Sequence, residues 1–139
     1  MKYRKEKSGY LIRLSRGDRL FDSIISFGES EKIDSAFFWG IGAVEDVVLG
    51  YYDLKKKEYI KRVFDGIWEL VSLTGNLAKA EDDPIIHAHG VLSDPDNKTI
   101  GGHIFGFTTA ATVEVYLVPL KSGLERVFDD ETGLKLLDI

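Results

Sequence analysis

From residue 36 to residue 118 the chain reads at period two, in short apolar runs broken by glycine and acidic residues. Alternation of that kind places apolar side chains on one face of a strand and polar ones on the other. Seven strands are predicted downstream of residue 35, over 36–39, 47–52, 59–64, 67–73, 85–92, 100–108 and 112–118. One more, over 10–14, lies upstream. A single segment keeps helical spacing: Leu20, Phe21, Ile24, Ile25 and Phe27 share a stripe, with Asp22, Ser23 and Ser26 between them. The helix should start after Asp18, whose carboxylate can cap it, and end near Ser30. Many strands, short connections and one helix predict an α+β fold, a mostly antiparallel, multi-stranded sheet packed with one main helix. No linker, repeat or low-complexity stretch divides residues 1–139, so a single domain is expected.

The length of 139 residues suffices for a sizeable core without a covalent staple. The chain has no cysteine, which removes disulfides, thiolate nucleophiles and cysteine-bound metals, and fits a reducing cytoplasm. No run of 18 apolar residues is present, so no membrane helix is expected. Net charge is −5, which lends no general affinity for a phosphate backbone. The longest basic run, Lys55-Lys56-Lys57, is flanked by Asp53 and Glu58 and reads as a solvated turn.

The three histidines of the chain all fall between positions 87 and 103. His87 and His89 are two residues apart, so on a strand they share a face. Asp94-Pro95-Asp96-Asn97-Lys98-Thr99 is a turn cluster of the kind that closes a hairpin. A turn centred on Asp96 places His103 opposite His89, and cross-strand Cβ atoms sit about 5 Å apart. Three imidazoles converging with a fourth position open is the arrangement of a catalytic zinc site, with zinc the default among divalent transition metals. Gly90, Gly101 and Gly102 are expected to leave room around the ligands.

Glu114, in Thr112-Val113-Glu114-Val115, is a carboxylate in an apolar strand, and such a group is costly unless paired. It is the candidate catalytic residue: a general base, an orienting partner or a fourth ligand. Glu69 invites the same reading more weakly. Arg16-Gly17-Asp18 fits a strand-to-helix turn, Gly40-Ile41-Gly42 a tight bend, and Phe37, Phe38 and Trp39 a core or subunit interface.

The Arg16-Gly17-Asp18 turn, Gly40-Ile41-Gly42-Ala43, Pro84 to His89, Gly101-Gly102-His103 and Thr112 to Val115, in that order, resemble the PPC domain, the plants and prokaryotes conserved domain also called DUF296. The resemblance runs nearly end to end. It implies an antiparallel α/β domain, a homotrimer, and a metal, often zinc, on the positions of His87, His89 and His103. Plant members carry AT-hook segments and bind AT-rich DNA; this chain has no Arg-Gly-Arg-Pro core and no basic arm. Three readings follow. One is a cytoplasmic metal-binding homotrimer acting on a small molecule by metal-assisted hydrolysis or lyase chemistry. The second is a DNA-binding regulator using Arg13, Arg16, Arg19, Lys61 and Arg62. The third is a non-catalytic protein-interaction module presenting Tyr51, Tyr52 and Trp68.

Overall fold

A computed structural model describes residues 1–139. It contains nine strands in one sheet and one helix: β1 (Lys2–Glu6), β2 (Gly9–Ser15), α1 (Leu20–Glu31), β3 (Ala36–Asp53), β4 (Glu58–Phe64), β5 (Trp68–Ala80), β6 (Asp83–Ser93), β7 (Thr99–Pro119), β8 (Glu125–Asp129) and β9 (Leu134–Asp138). All pairings are antiparallel except one contact between β5 and β8, at Lys79 and Glu125. The α+β architecture expected from periodicity is the one observed.

Four strands close on one another. β3 pairs with β5, β5 with β6, β6 with β7, and β7 returns to β3. Closure removes sheet edges that would otherwise expose unpaired backbone groups. Phe38, Leu73, Leu92 and Ile104 fill the interior, and the wider apolar cluster has 22 buried residues. Helix α1 joins this cluster through Leu20, Ile24 and Phe27. Phe27 meets Tyr3 and Tyr10 edge-on, at centroid distances of 4.9 and 5.0 Å.

Two pairs of expected strands are each one element. Residues 36–39 and 47–52 belong to the 18-residue β3, and residues 100–108 and 112–118 to the 21-residue β7. The breaks in apolar period are bulges, not turns. Gly40-Ile41-Gly42 is not a bend; register slips there between β3 and β5 while the strand continues. A second slip lies where Glu45 and Val48 face Thr108 and Gly106. An extra residue on one strand shifts which side chains face inward. Accordingly Ile104 is buried before Gly106, and Phe107, Val113, Val115 and Leu117 are buried after it.

Asp18 does not cap the helix. Arg19 holds the N-cap position and makes no side-chain cap bond. The Asp18 carboxylate instead accepts from the Ser15 N–H at 2.8 Å and pairs with the N-terminal ammonium at 2.7 Å, bracing the turn backwards. β1, β8 and β9 were not expected. β1 carries only charged residues and one tyrosine, and β8 and β9 follow the last strong alternation. The 55–57 run is an exposed turn, as expected.

The glycines near the histidines have a different role from ligand clearance. A Cβ on Gly90 would stand 2.6 Å from Ile104 Cδ1, and one on Gly101 would stand 2.9 Å from the Gly90 carbonyl. These residues allow β6 and β7 to approach. Gly90→Val should therefore cost about 1–3 kcal/mol, as overpacking does. Urea denaturation reads that loss; an unchanged midpoint would show that β6 and β7 tolerate the added bulk.

Candidate metal centre

Alternation puts His87 and His89 on the outer face of β6, opposite Asn76 and Thr74 of β5. The hairpin to β7 is tied by Asp94, whose Oδ1 accepts from the backbone N–H of Asp96 at 3.0 Å and of Lys98 at 2.8 Å. Asn97 takes a left-handed conformation, φ 60°. This short-range bonding sets the register, and His89 pairs directly with His103. The turn estimated from sequence is the one formed.

Three imidazoles converge. Each offers a ring nitrogen within 4.8 Å of the others. The Nε2 atoms of His87 and His89 are 3.2 Å apart. Two ligands on a tetrahedral ion at about 2.1 Å stand about 3.4 Å from each other, so this spacing fits a shared cation. His103 Nδ1 is buried with no hydrogen-bond partner. A buried ring nitrogen without a partner is unfavourable, and a metal would satisfy it if that nitrogen is the ligating one. The donor set, three imidazole nitrogens and no sulfur, suits a borderline divalent transition ion.

His103 is wedged between aromatic rings. Tyr59 of β4 lies 4.9 Å from it and Phe105 4.7 Å, centroid to centroid. Burial there disfavours the charged ring. Desolvation first, then the charges of His87, His89, Lys61 and Arg126, lower its pKa to about 4. His87 is lowered too, by burial, then by Arg126, then by His89. Both rings are thus held neutral, the form that ligates metal. Tyr59 is raised, chiefly by burial.

Asn76, Tyr59, Phe105 and Arg126 were not anticipated. Arg126, from β8, donates through Nη2 to Asn76 Oδ1 at 3.0 Å, and the same nitrogen lies 3.3 Å from His87 Nδ1. A guanidinium only donates, so with no metal bound His87 Nδ1 accepts there and the ring proton sits on Nε2, toward His89; a metal on Nε2 would move that proton to Nδ1 and end the contact with Arg126. The signal available was Arg126-Val127-Phe128 and Leu134 to Leu137 around Asp130-Glu131-Thr132-Gly133, a hairpin pattern.

Within one chain Glu114 is not brought to the histidines. It is an exposed β7 residue opposite Arg13 and Ile41. From there to His89 the sheet runs through β3 and β5 to β6, three strand spacings, or about 14 Å. Glu114 and Glu69 line a separate depression of about 490 Å³. Another hollow, about 450 Å³, lies among Leu49, Tyr51, Ile60, Arg62 and Ile100 and holds no histidine or carboxylate. The cavity that touches the triad is about 340 Å³ and is lined by His87, His103, Tyr59, Phe105 and Arg126 among others. Of the aromatics proposed for interfaces, Tyr51 is exposed, Tyr52 and Trp68 are half-buried, and Phe38 is core between exposed Phe37 and Trp39. No helix is long and apolar enough to cross a membrane.

The sequence profile of the Plants and Prokaryotes Conserved (PCC) domain matches residues 1–121. Among solved structures, the chain is similar to a metal-containing protein from Archaeoglobus fulgidus, at 37% identity, TM-score 0.89, with 99% of this chain and 97% of that one covered. It is similar to a candidate DNA-binding protein from Ralstonia eutropha, at 31% identity and TM-score 0.91, covering 99% and 96%. A plant- and prokaryote-conserved (PPC) protein from Pyrococcus horikoshii superposes at 29% identity and TM-score 0.88, covering 99% and 95%. No curated protein sequence matches.

The buried neutral imidazoles predict an acid-sensitive fold. An unfolded histidine titrates near 6.5, whereas folded His103 titrates near 4. Between those values the unfolded chain takes up a proton that the folded chain refuses, so stability falls as pH falls. The carboxylates with lowered pKa, Asp18, Glu31 and Asp129, act only below their ordinary 3.8–4.5. Tm of the metal-free protein should drop between pH 6.5 and 4.5, and His103→Gln should flatten that drop. Identical slopes in both proteins would contradict the neutral, buried ring.

Proposed function

Since the chain belongs to the Plants and Prokaryotes Conserved (PCC) domain family, we propose that His87, His89 and His103 hold one divalent transition metal, zinc by default, for action on a small molecule. The observation that carries this reading is the convergence of three ring nitrogens within 4.8 Å. The likeness to the metal-containing Archaeoglobus protein supports it. Three protein ligands leave a coordination position for a substrate. When bound, the ion supplies Lewis acidity suited to hydrolysis or lyase chemistry. Tyr59 and Phe105 exclude water from one side of His103, while exposed His89 faces solvent.

On this reading residues 1–139 act as one cytoplasmic domain in a homotrimer. Exposed Phe37, Trp39 and Ile41 support self-association: Phe37 and Trp39 share the outer sheet face with the triad through the pairings Phe37–Asn76–His87 and Trp39–Thr74–His89. Glu114 is proposed as the catalytic carboxylate only across such an interface, because its own triad lies three strands away. A contribution from a neighbouring copy would reconcile its exposure with a proton-moving role.

A second reading, DNA binding, is favoured by the likeness to the Ralstonia protein. It needs Arg13, Arg16, Arg19, Lys61 and Arg62 to form a local basic face on a chain of net charge −5. Retention on DNA that weakens steeply with salt would support it. No retention at low salt would dispose of it.

Elemental analysis of purified protein tests the first reading. Wild type should carry about one ion per chain, and His89→Ala should lose most of it, consistent with removal of one of three ligands. Glu114→Gln should keep the ion and, in the trimer, lose activity. Metal retained by His89→Ala would remove the ligand assignment.

A further inference from the structure

One buried charge in the molecule has no counter-ion. Arg126 is 9% exposed. Its contacts are all to uncharged atoms: the Lys135 carbonyl oxygen at 2.9 Å, Asn76 Oδ1 at 3.0 Å and His87 Nδ1 at 3.3 Å. Its Nε is buried with no partner at all. No carboxylate pairs with it among the ion pairs of the chain. A guanidinium cannot discharge itself by losing a proton. A buried cation without an anion is strongly unfavourable, so a site shaped this way calls for one.

Arg126 lines the same 340 Å³ cavity as His87 and His103. We infer that this cavity binds a small organic monocarboxylate, with Arg126 pairing its carboxylate beside the histidine triad. Both Nη atoms already donate within the chain and Nε is buried, so the carboxylate would take the Nη2 hydrogen now directed at His87 Nδ1, in a charge-assisted bond. The other walls include Phe21, Ile85 and Leu134, which suit a short carbon skeleton and not a hydrated polyanion. A phosphate dianion would need more positive charge than this. The other cation lining the cavity, Lys135, has its ammonium 3.8 Å from Glu81 Oε1. The ligand class is narrowed further by the triad. A 2-oxo or 2-hydroxy acid presents a second oxygen next to its carboxylate, and that oxygen would take the open position on the ion; this part rests on the metal centre proposed above. Arg126 lies beyond residues 1–121, which the family profile covers, so the C-terminal hairpin supplies the cation of a cavity otherwise lined largely by residues within the profile.

The test is calorimetric titration of the full-length protein with pyruvate, with neutral pyruvamide and with inorganic phosphate, on samples whose metal content is measured. Saturable binding of pyruvate, at least tenfold tighter than pyruvamide or phosphate, is expected. Arg126→Gln should weaken pyruvate binding at least tenfold at unchanged metal content, and Arg126→Lys should recover part of it. Equal binding of pyruvate and pyruvamide would overturn the inference, and that comparison needs no variant to fold. So would stronger binding of phosphate, or no pyruvate binding by metal-loaded wild type, which would leave Arg126 to be paired by a neighbouring copy's carboxylate. If the protein carries no metal, pyruvate binding that Arg126→Gln abolishes sustains the anion site while the metal reading fails. Absence of binding in that case overturns both.

Discussion

Strand β7 pairs with β6 over Thr99–His103, with β3 from His103 to Pro119, and with β2 over Thr112–Leu117. Most of the fold depends on that shared strand. Because β3, β5 and β6 complete a circuit with it, its register cannot slide without breaking ladders on both sides. A one-residue slip in a sheet turns every side chain to the other face. In this chain it would carry His103 into the core and Ile104 out of it. The bulge near Gly106 allows one strand to serve two registers at once. Before it, odd residues face outward to the triad; after it, odd residues fill the core.

The site is a place where desolvation and charge are held in tension. His103 and His87 are buried enough to be kept neutral, which suits ligation. Arg126 in the same cavity cannot become neutral and hydrogen-bonds only to a backbone carbonyl, an amide oxygen and an imidazole nitrogen. Uncharged partners satisfy hydrogen bonds without balancing charge, so the protein stores there an unpaired cation next to lone pairs. Sites that depart from the rule that buried polar groups are matched are commonly functional. Three larger hollows lack this combination: one has a single arginine among apolar residues, one two exposed glutamates, and one, at the β1–β2 turn, sets Arg4 and Lys7 beside Glu6 and has no histidine.

Much of the histidine arrangement was legible because it is local. His87 and His89 are two apart, the Asp94–Lys98 turn has its own side-chain hydrogen bonds, and His103 follows within reach. The single helix was legible for the same reason, since its stripe repeats within 12 residues. What misled was also physical. The bulges at Gly40–Gly42 and near Gly106 interrupt the alternation exactly as a turn would, so β3 and β7 each looked like two strands. Asp18 sits where a cap would sit, but the chain terminus offers its carboxylate a full charge, a stronger partner than a helix N–H. Glu114 looked costly in an apolar strand; it is exposed, and the apolar residues on either side of it, Val113 and Val115, face inward.

The sequence alone determined the helix, the strand-rich α+β class, the hairpin and the convergence of three imidazoles, because each rests on periodicity or on contacts within about 16 residues. Only the tertiary structure decided what surrounds them. Tyr59 is 44 residues from His103 along the chain, and Arg126 is 39 from His87. Neither spacing has a period to betray it. Those neighbours arrive through closure of β3, β5, β6 and β7 and through the docking of the β8–β9 hairpin on β5. Burial, and with it the neutral imidazoles and the unpaired guanidinium, is a property of that closed surface and not of any segment of it.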